Sequence, residues 1–259
     1  MFRQLIRRAL GRVLRTVFSP SSWLASQVVY PPRPLVKLGT QYGGWSIVEI
    51  SGDISKKFAI LCGAGEDVSF DLALQRQYDL NCIIVDPTPR AIRHFSKLCE
   101  NVANGIDTPI NNSGSEFYDV QGVDFKKITY KPVAVWTKRE KIKFWKPAND
   151  AHVSFSAANI QQTNEFIEVD ALPLEEIIDD ESDNIELIKL DIEGIGAKIA
   201  EALIARGLRP NQILLEFEEV FFPTKSSVTA LKRAVRTLQE SGYSLVHFDG
   251  LANCVFYRN

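Results

Sequence analysis

The chain has 259 residues, of which 45% are apolar and 24% are charged, and its net charge is −2. This is the composition of a globular protein that is long enough to bury a full core without disulfides or metals, and it excludes a disordered tail, a collagen-like fibre and a coiled coil. No apolar run approaches the length of about 18 residues that a membrane-spanning helix needs, so the sequence predicts no such helix.

The charge is unevenly distributed along the chain. The first 48 residues contain seven basic residues and no acidic ones, whereas the remainder holds 23 basic and 32 acidic residues and therefore sums to −9. An acidic body weighs against binding to nucleic acid, so we expect no nucleic-acid partner.

Residues 1–20 are predicted to form a basic amphipathic helix, because apolar residues recur at helical spacing and five arginines occupy the other face. The arginines interrupt the apolar residues throughout, which excludes a secretory signal. Three interpretations stay open: peripheral contact with an anionic membrane surface, a transit peptide, and packing on the chain's own domain or on a second subunit. Residues 21–43 are predicted as a linker and residues 44–259 as the main domain.

From Phe58 onward, signals for strands and helices alternate along the chain. Apolar runs predict strands at 58–62, 81–87, 185–194 and 212–219, and helical periodicity predicts helices at 68–78, 89–102, 197–207 and 228–242. The polar segment 103–122 is predicted as a loop. Two final strands, at 243–248 and 253–258, follow each other without a helix between them.

This alternation predicts an α/β fold with a mainly parallel sheet and helices on both faces. The last two strands must be antiparallel, because a parallel return needs a crossover connection. A parallel sheet that ends in an antiparallel C-terminal hairpin is the Rossmann-like arrangement of class I methyltransferases. A dinucleotide-binding dehydrogenase would be expected to continue strand, helix, strand to its end.

The four cysteines are scattered and form no CxxC pair, which argues against a disulfide framework and against a structural zinc site. Buried free thiols in a reducing compartment are the simplest interpretation, so we expect a cytoplasmic protein. The sequence does not indicate an oligomeric state.

The first strand of the alternating region is followed by a segment that we call the glycine turn: Gly63, Ala64, Gly65, Glu66 and Asp67. Ligands of open α/β sheets bind outside the carboxyl ends of the strands. Glycines there let the backbone approach a ligand, and the start of the next helix offers free N–H groups. The alternative is ordinary turn chemistry, and Val68 stands where the dinucleotide fingerprint has its third glycine.

The second strand ends in Asp86, which precedes Pro87 and lies 21 residues after Gly65. At this spacing a carboxylate accepts hydrogen bonds from ribose hydroxyls, which suits NAD and S-adenosylmethionine equally. The alternative is that Asp86 caps the following helix. Because of the glycines upstream, we favour the ribose-binding role.

A third group of polar residues follows an apolar strand, where Lys189, Asp191 and Glu193 alternate and therefore share one face. Three charged groups at the exit of a buried strand predict a functional site, and the alternative is an ion pair that holds the loop. Glu216 and Glu218 alternate in the next strand in the same way. No histidine is spaced with these carboxylates, so no metal is predicted.

Five stretches together resemble the FkbM family of S-adenosylmethionine-dependent methyltransferases, from about residue 44 to the C-terminus. They are KFAILCGAGEDVSFDLAL, VDPTPRAI, IELIKLDIEG, ILLEFEE and GYSLVHFDGLANCVFYR. The most specific mark is the K-x-D-x-E-G block after an apolar strand. The chain departs from the family where the block usually continues G-A-E, because it reads Gly194-Ile195-Gly196.

The resemblance implies a class I fold and methyl transfer from S-adenosyl-L-methionine to an oxygen of a sugar or another small-molecule acceptor. It places the cofactor at the glycine turn, Asp86 and Pro87, and the functional carboxylates at Asp191 and Glu193. Asp191 is the first candidate for the base and Glu193 the second, with Lys189 orienting them or stabilising an oxyanion. Two alternatives stay open, an NAD(P)-binding oxidoreductase and a non-catalytic scaffold that keeps the fold.

Overall fold

The computed structural model describes residues 19–110, 115–145, 164–178, 184–192, 194–221 and 223–259. The basic helix predicted for residues 1–20 lies outside the described residues, apart from its last two positions, and so does Glu193. In the ranges that are described, no helix is long and apolar enough to cross a membrane.

The strands are β1 (Leu35–Leu38), β2 (Trp45–Val48), β3 (Phe58–Cys62), β4 (Asn81–Val85), β5 (Ile128–Lys131), β6 (Ala134–Val135), β7 (Glu140–Trp145), β8 (Phe166–Leu172), β9 (Ile185–Leu190), β10 (Gln212–Glu216), β11 (Tyr243–Phe248) and β12 (Asn253–Arg258). The α-helices are α1 (Pro20–Gln27), α2 (Ser69–Tyr78), α3 (Pro89–Ala103), α4 (Leu174–Ile177), α5 (Gly196–Ala205) and α6 (Lys225–Glu240). Short 3-10 turns span Phe125–Lys127 and Glu218–Val220.

The main sheet has seven strands in the order β11-β12-β10-β9-β3-β4-β5. The five strands from β10 to β5 are parallel, and β12 pairs antiparallel with both β10 and β11. The predicted α/β class and the antiparallel terminal hairpin are therefore confirmed. The chain adds β4 and β5 on one side of β3 and then β9 and β10 on the other, so the strand order reverses between β3 and β9. Such a switch point is where open α/β sheets bind their ligands.

The centre of the sheet is covered on both faces, which explains why every residue of β3 and β9 is buried. One face packs against α5 and α6, and the other packs against α2, α3 and the β1–β2 hairpin. This hairpin occupies the place of a helix on its face, since its residues pack with Leu187, Leu214 and Val255 of β9, β10 and β12.

Strand β1 and all but the first residue of helix α1 lie within residues 21–43, which the sequence analysis assigns to a linker. Helix α1 begins after Ser19, whose hydroxyl caps it by accepting from the Ser22 N–H at 3.1 Å, and Leu24 is completely buried. Strand β1 pairs antiparallel with β2. The Gln212 side chain holds β2 on the sheet, because it accepts from the N–H of Val48 and donates to its carbonyl, both at 2.8 Å. The domain boundaries themselves stay a prediction.

A second sheet of three strands, in the order β6-β8-β7, stands beside the main one. Its β6 follows directly after β5, and the sequence analysis predicts neither β8 nor α4. Three strands of the main sheet end earlier than predicted, at Val85, Leu190 and Glu216. Asp86 and Asp191, which follow the first two of these strands, lie in loops, and Glu218 begins a 3-10 turn.

Candidate active site

A cavity of about 260 Å³ lies at the carboxyl ends of the strands, at the switch point between β3 and β9. The described residues of the predicted site all line it: Gly63, Ala64, Gly65, Glu66, Asp67, Asp86, Pro87, Lys189 and Asp191. Glu193 lies outside the described residues. The three polar segments that sequence reasoning selected therefore converge, while the role of each residue stays a prediction.

The glycine turn packs directly against the loop after β9. Gly63 has a φ of 87°, and a Cβ there would lie 1.8 Å from the carbonyl oxygen of Asp191. Gly65 also has a positive φ, of 54°, but a Cβ there would meet nothing within 4 Å. Position 63 thus needs glycine for packing, whereas the backbone at position 65 is open to a ligand.

Asp86 fastens the glycine turn to the end of β4. Its Oδ2 accepts from the N–H groups of Ala64 and Gly65, both at 3.0 Å. Its Oδ1 accepts from the N–H and the hydroxyl of Thr88, at 2.8 and 2.7 Å. Four donors fill the capacity of a carboxylate, so the ribose-binding role that we predict for Asp86 requires a ribose hydroxyl to share these oxygens.

Asp67 holds a segment that sequence reasoning missed, the hairpin loop of residues 39–44 between β1 and β2. Its Oδ1 accepts from the Ser69 N–H at 2.9 Å, and its Oδ2 accepts from the Thr40 hydroxyl at 2.6 Å. Tyr42 and Gly43 of this loop line the cavity. The glycines at 39, 43 and 44 are the sequence signal that could have drawn attention to the loop.

A buried network supports the other side of the glycine turn. The Tyr118 hydroxyl accepts from the Val68 N–H at 3.1 Å, donates to the Glu66 carbonyl at 3.3 Å and lies 2.8 Å from Nε2 of His94. Burial lowers the pKa of His94 and raises that of Tyr118, so both side chains are neutral near pH 7. The Glu66 carboxylate pairs with Arg90 at 2.7 Å.

Lys189 is buried beneath the glycine turn, with 2% of its side chain exposed. Its ammonium donates to the Gly63 carbonyl at 3.0 Å and lies 3.3 Å from Oδ2 of Asp191. Burial acts to lower the pKa of Lys189, but the carboxylates of Asp191 and Asp71 outweigh it, so the pKa is raised and the ammonium stays charged. The ion pair that we gave as the alternative interpretation is thus present, and it orients a carboxylate that is 35% exposed.

Asp71 is a second charged group that sequence reasoning missed. It is 1% exposed, and neither carboxylate oxygen has a hydrogen-bond partner within the described part of the chain. Burial raises its pKa to about 6, although the charge of Lys189 opposes the rise. Asp71 falls three residues after Val68 and three before Leu74, so an acidic residue on the buried face of α2 was the available signal.

The cavity runs across the carboxyl ends of several strands, between elements that cover opposite faces of the sheet. Trp45 belongs to the core of one face, while Val135 and Ile195 belong to the core of the other. At the far end of the cavity lie Glu216 of β10 and its register partner Asn253 of β12. Strands β10 and β4 are three positions apart in the sheet, which corresponds to about 14 Å.

The described residues include no group of three or more His, Cys, Asp or Glu side chains placed to hold a metal ion. The prediction of a metal-free site is not tested by this observation and stays a prediction.

A family model for the methyltransferase FkbM domain matches residues 61–245. No curated protein matches the chain. The crystal structure of M. jannaschii TYW2 in complex with AdoMet is 11% identical, with 89% of this chain and 90% of that chain covered and a TM-score of 0.32, a similarity too low to support an inference. The family match spans most of the chain and includes all the residues of the predicted site, so the chain belongs to the FkbM family of methyltransferases and is an S-adenosylmethionine-dependent enzyme.

Proposed function

We propose that the enzyme transfers a methyl group to a hydroxyl oxygen of a sugar or another small hydroxylated metabolite. The observation that carries this proposal is the cavity itself, in which the glycine turn and the partly exposed carboxylate of Asp191 face one space. A cofactor end and an acceptor end are therefore both present, with Asp191 between them.

The cofactor is assigned to the end formed by the glycine turn, Asp86 and Pro87. The open backbone at Gly65 supports this fit, since a Cβ there would meet nothing within 4 Å. When bound, S-adenosylmethionine supplies a methyl group on a sulfonium cation. The chain's own task is then to hold the acceptor oxygen in line with that methyl group and to keep water out.

Asp191 is assigned the role of general base, which accepts the proton of the acceptor hydroxyl. Lys189 holds the Oδ2 side of this carboxylate at 3.3 Å and is itself fixed by the Gly63 carbonyl. The base is therefore tied to the same turn that is assigned to the cofactor, which fixes the distance between the two reacting groups.

The acceptor is assigned to the end formed by Glu216 and Asn253, with Val135 and Phe144 on the cavity wall. A carboxylate and an amide together accept and donate hydrogen bonds to hydroxyls, and apolar side chains suit the C–H face of a sugar ring. This combination supports a hydroxylated ring more than a fully apolar or a polyanionic acceptor.

The first experiment is thermal unfolding of the full chain with S-adenosylmethionine, S-adenosylhomocysteine, NAD or NADP in excess. A ligand at about 100 times its dissociation constant stabilises by about 2.7 kcal/mol, which corresponds to a rise of a few degrees in Tm. We expect a rise with the first two ligands alone. A rise with NAD or NADP alone, or with none of the four, would contradict the cofactor assignment.

The second experiment is methyl transfer from labelled S-adenosylmethionine to a panel of methyl glycosides and, in parallel, to small primary amines. We expect labelled product from at least one glycoside and none from the amines. Transfer to amines alone would contradict the proposed acceptor while leaving the cofactor assignment intact.

A further inference from the structure

The hairpin loop, residues 39–44, lies outside the segment that the family model matches, yet it forms part of the cavity wall. Tyr42 of this loop lines the cavity and is 80% exposed. Trp45, the first residue after the loop, is buried, and its ring centre lies 5.9 Å from the ammonium of Lys189. Part of the cavity wall is therefore built by a segment outside the family match.

The side chain of Thr40 connects this loop to the glycine turn. Its hydroxyl donates to Oδ2 of Asp67 at 2.6 Å and accepts from the Gly43 N–H at 2.9 Å. The N–H of Thr40 donates to the hydroxyl of Ser69, at the start of α2, also at 2.9 Å. One threonine thus ties the two ends of the loop both to each other and to the turn.

The glycines of the loop bring its backbone against the same residues. A Cβ on Gly43 would lie 2.6 Å from the carboxylate carbon of Asp67, and a Cβ on Gly39 would lie 2.8 Å from the nitrogen of Phe70. A Cβ on Gly44 would lie 2.2 Å from the Thr40 carbonyl oxygen. Such approaches leave no room for side chains, so the loop is closely fitted to the beginning of α2.

Each oxygen of the Asp67 carboxylate is engaged in one of these contacts, so two of its about four acceptor positions are occupied. One oxygen accepts from Ser69 and the other from Thr40, and the side chain is buried. A residue in this arrangement acts on a ligand through the loop that it holds. This indirect role would add to the direct cofactor contact that the family resemblance implies for Asp67, which stays a prediction.

We propose that Thr40 and Asp67 are positioning residues, which hold the hairpin loop as a wall of the cofactor site so that Tyr42 covers the bound S-adenosylmethionine. The inference rests on the proposed cofactor site. A wall that covers a ligand removes its surface from water and lowers its rate of escape. The hydrogen bond from Thr40 to a carboxylate oxygen is one of the contacts that keep this wall in place, and bonds of this kind are stronger than those between neutral groups.

The test is calorimetric titration of S-adenosylhomocysteine into the full chain and three variants. Thr40→Val keeps the shape and removes the hydroxyl, Thr40→Ser keeps the hydroxyl, and Thr229→Val changes an exposed threonine of α6. We expect about tenfold weaker binding for Thr40→Val, because a hydrogen bond to a charged group is lost. Thr40→Ser should restore binding, and Thr229→Val should bind as the unchanged protein does.

A fourth variant, Tyr42→Ala, distinguishes an effect on the cavity wall from an effect on folding. Tyr42 is largely exposed, so its truncation should leave the Tm of the ligand-free protein unchanged. We expect it to weaken binding of S-adenosylhomocysteine several-fold. Unchanged affinity in both Tyr42→Ala and Thr40→Val would overturn the positioning role of the loop and leave the proposed cofactor site intact. No binding by the unchanged protein would overturn the proposed cofactor site.

Discussion

Asp191 is the single residue on which the proposed chemistry most depends. We expect Asp191→Asn to lower kcat by about 10²- to 10⁴-fold, because the amide cannot accept the hydroxyl proton. The dissociation constant of S-adenosylhomocysteine should change little, since Lys189 keeps its bond to the Gly63 carbonyl. Asp170→Asn is the matched control, because Asp170 is an exposed aspartate of β8. Methyl transfer at the original rate by Asp191→Asn would remove this residue from the mechanism.

Asp71 gives a prediction about pH at the same scale. Its pKa rises on folding from 3.8 to about 6, so between these values the native state holds a proton that the unfolded state has lost. The free energy of unfolding therefore falls as pH rises from about 4 through about 6, by as much as about 3 kcal/mol in total. The charges involved are those of Lys189, Asp67 and Asp191.

Asp71→Asn lacks this loss of stability. We therefore expect the free energy of unfolding of the variant, relative to that of the unchanged protein, to increase between about pH 4 and about pH 8. Urea unfolding at a series of pH values measures the difference. A difference that is constant with pH would mean that Asp71 keeps its ordinary pKa in the folded protein.

The location of the site residues was accessible from sequence, because each group directly follows an apolar run that is readable as a buried strand. Their partners were not accessible. Thr40 lies 27 residues before Asp67, and no local pattern connects the two. The four donors around Asp86 belong partly to the glycine turn, so only the folded geometry reveals that its oxygens are already used.

Among the elements, the strands that sequence analysis found are those with both faces buried, such as β3 and β9. Two of the missed strands, β1 and β8, are only partly buried. Strand β8 alternates between exposed and covered positions along most of its length, and β1 has one buried residue, Leu38. Such short, mixed segments carry a weak apolar signal, and tertiary contacts decide their structure.

Strand β2 is hydrogen-bonded to the main sheet through the side chain of Gln212. Gln212 is completely buried and satisfies both backbone groups of Val48. We expect Gln212→Leu to lower the free energy of unfolding by about 2 to 4 kcal/mol, because it leaves a buried N–H and a buried carbonyl without partners. Gln77→Leu, at an exposed position of α2, is the control in urea unfolding. Equal stabilities of the two variants would show that water replaces the lost bonds.

At the scale of the whole molecule, the residues that line the cavity extend in sequence from Tyr42 to Asn253 and meet at the carboxyl ends of the strands. The family match begins at residue 61, so the hairpin loop lies outside the matched segment. The amino-terminal ends of the strands are held by separate contacts, such as those of Glu186 with Lys57 at 2.5 Å and with Asn211 at 2.7 Å. A ligand bound at the carboxyl ends of the strands should therefore leave their amino-terminal ends unaffected.

Hydrogen exchange with and without S-adenosylhomocysteine tests this division. We expect slower exchange in peptides that cover the hairpin loop, the glycine turn and residues 86–88, since ligand binding suppresses local opening where it makes contact. Peptides around Glu186 and Asn211 should exchange at the same rate in both states. Protection of the glycine turn without protection of the hairpin loop would place the ligand away from Tyr42. Equal protection at the carboxyl and the amino-terminal ends of the strands would contradict this prediction, because the ligand would then act through global stability.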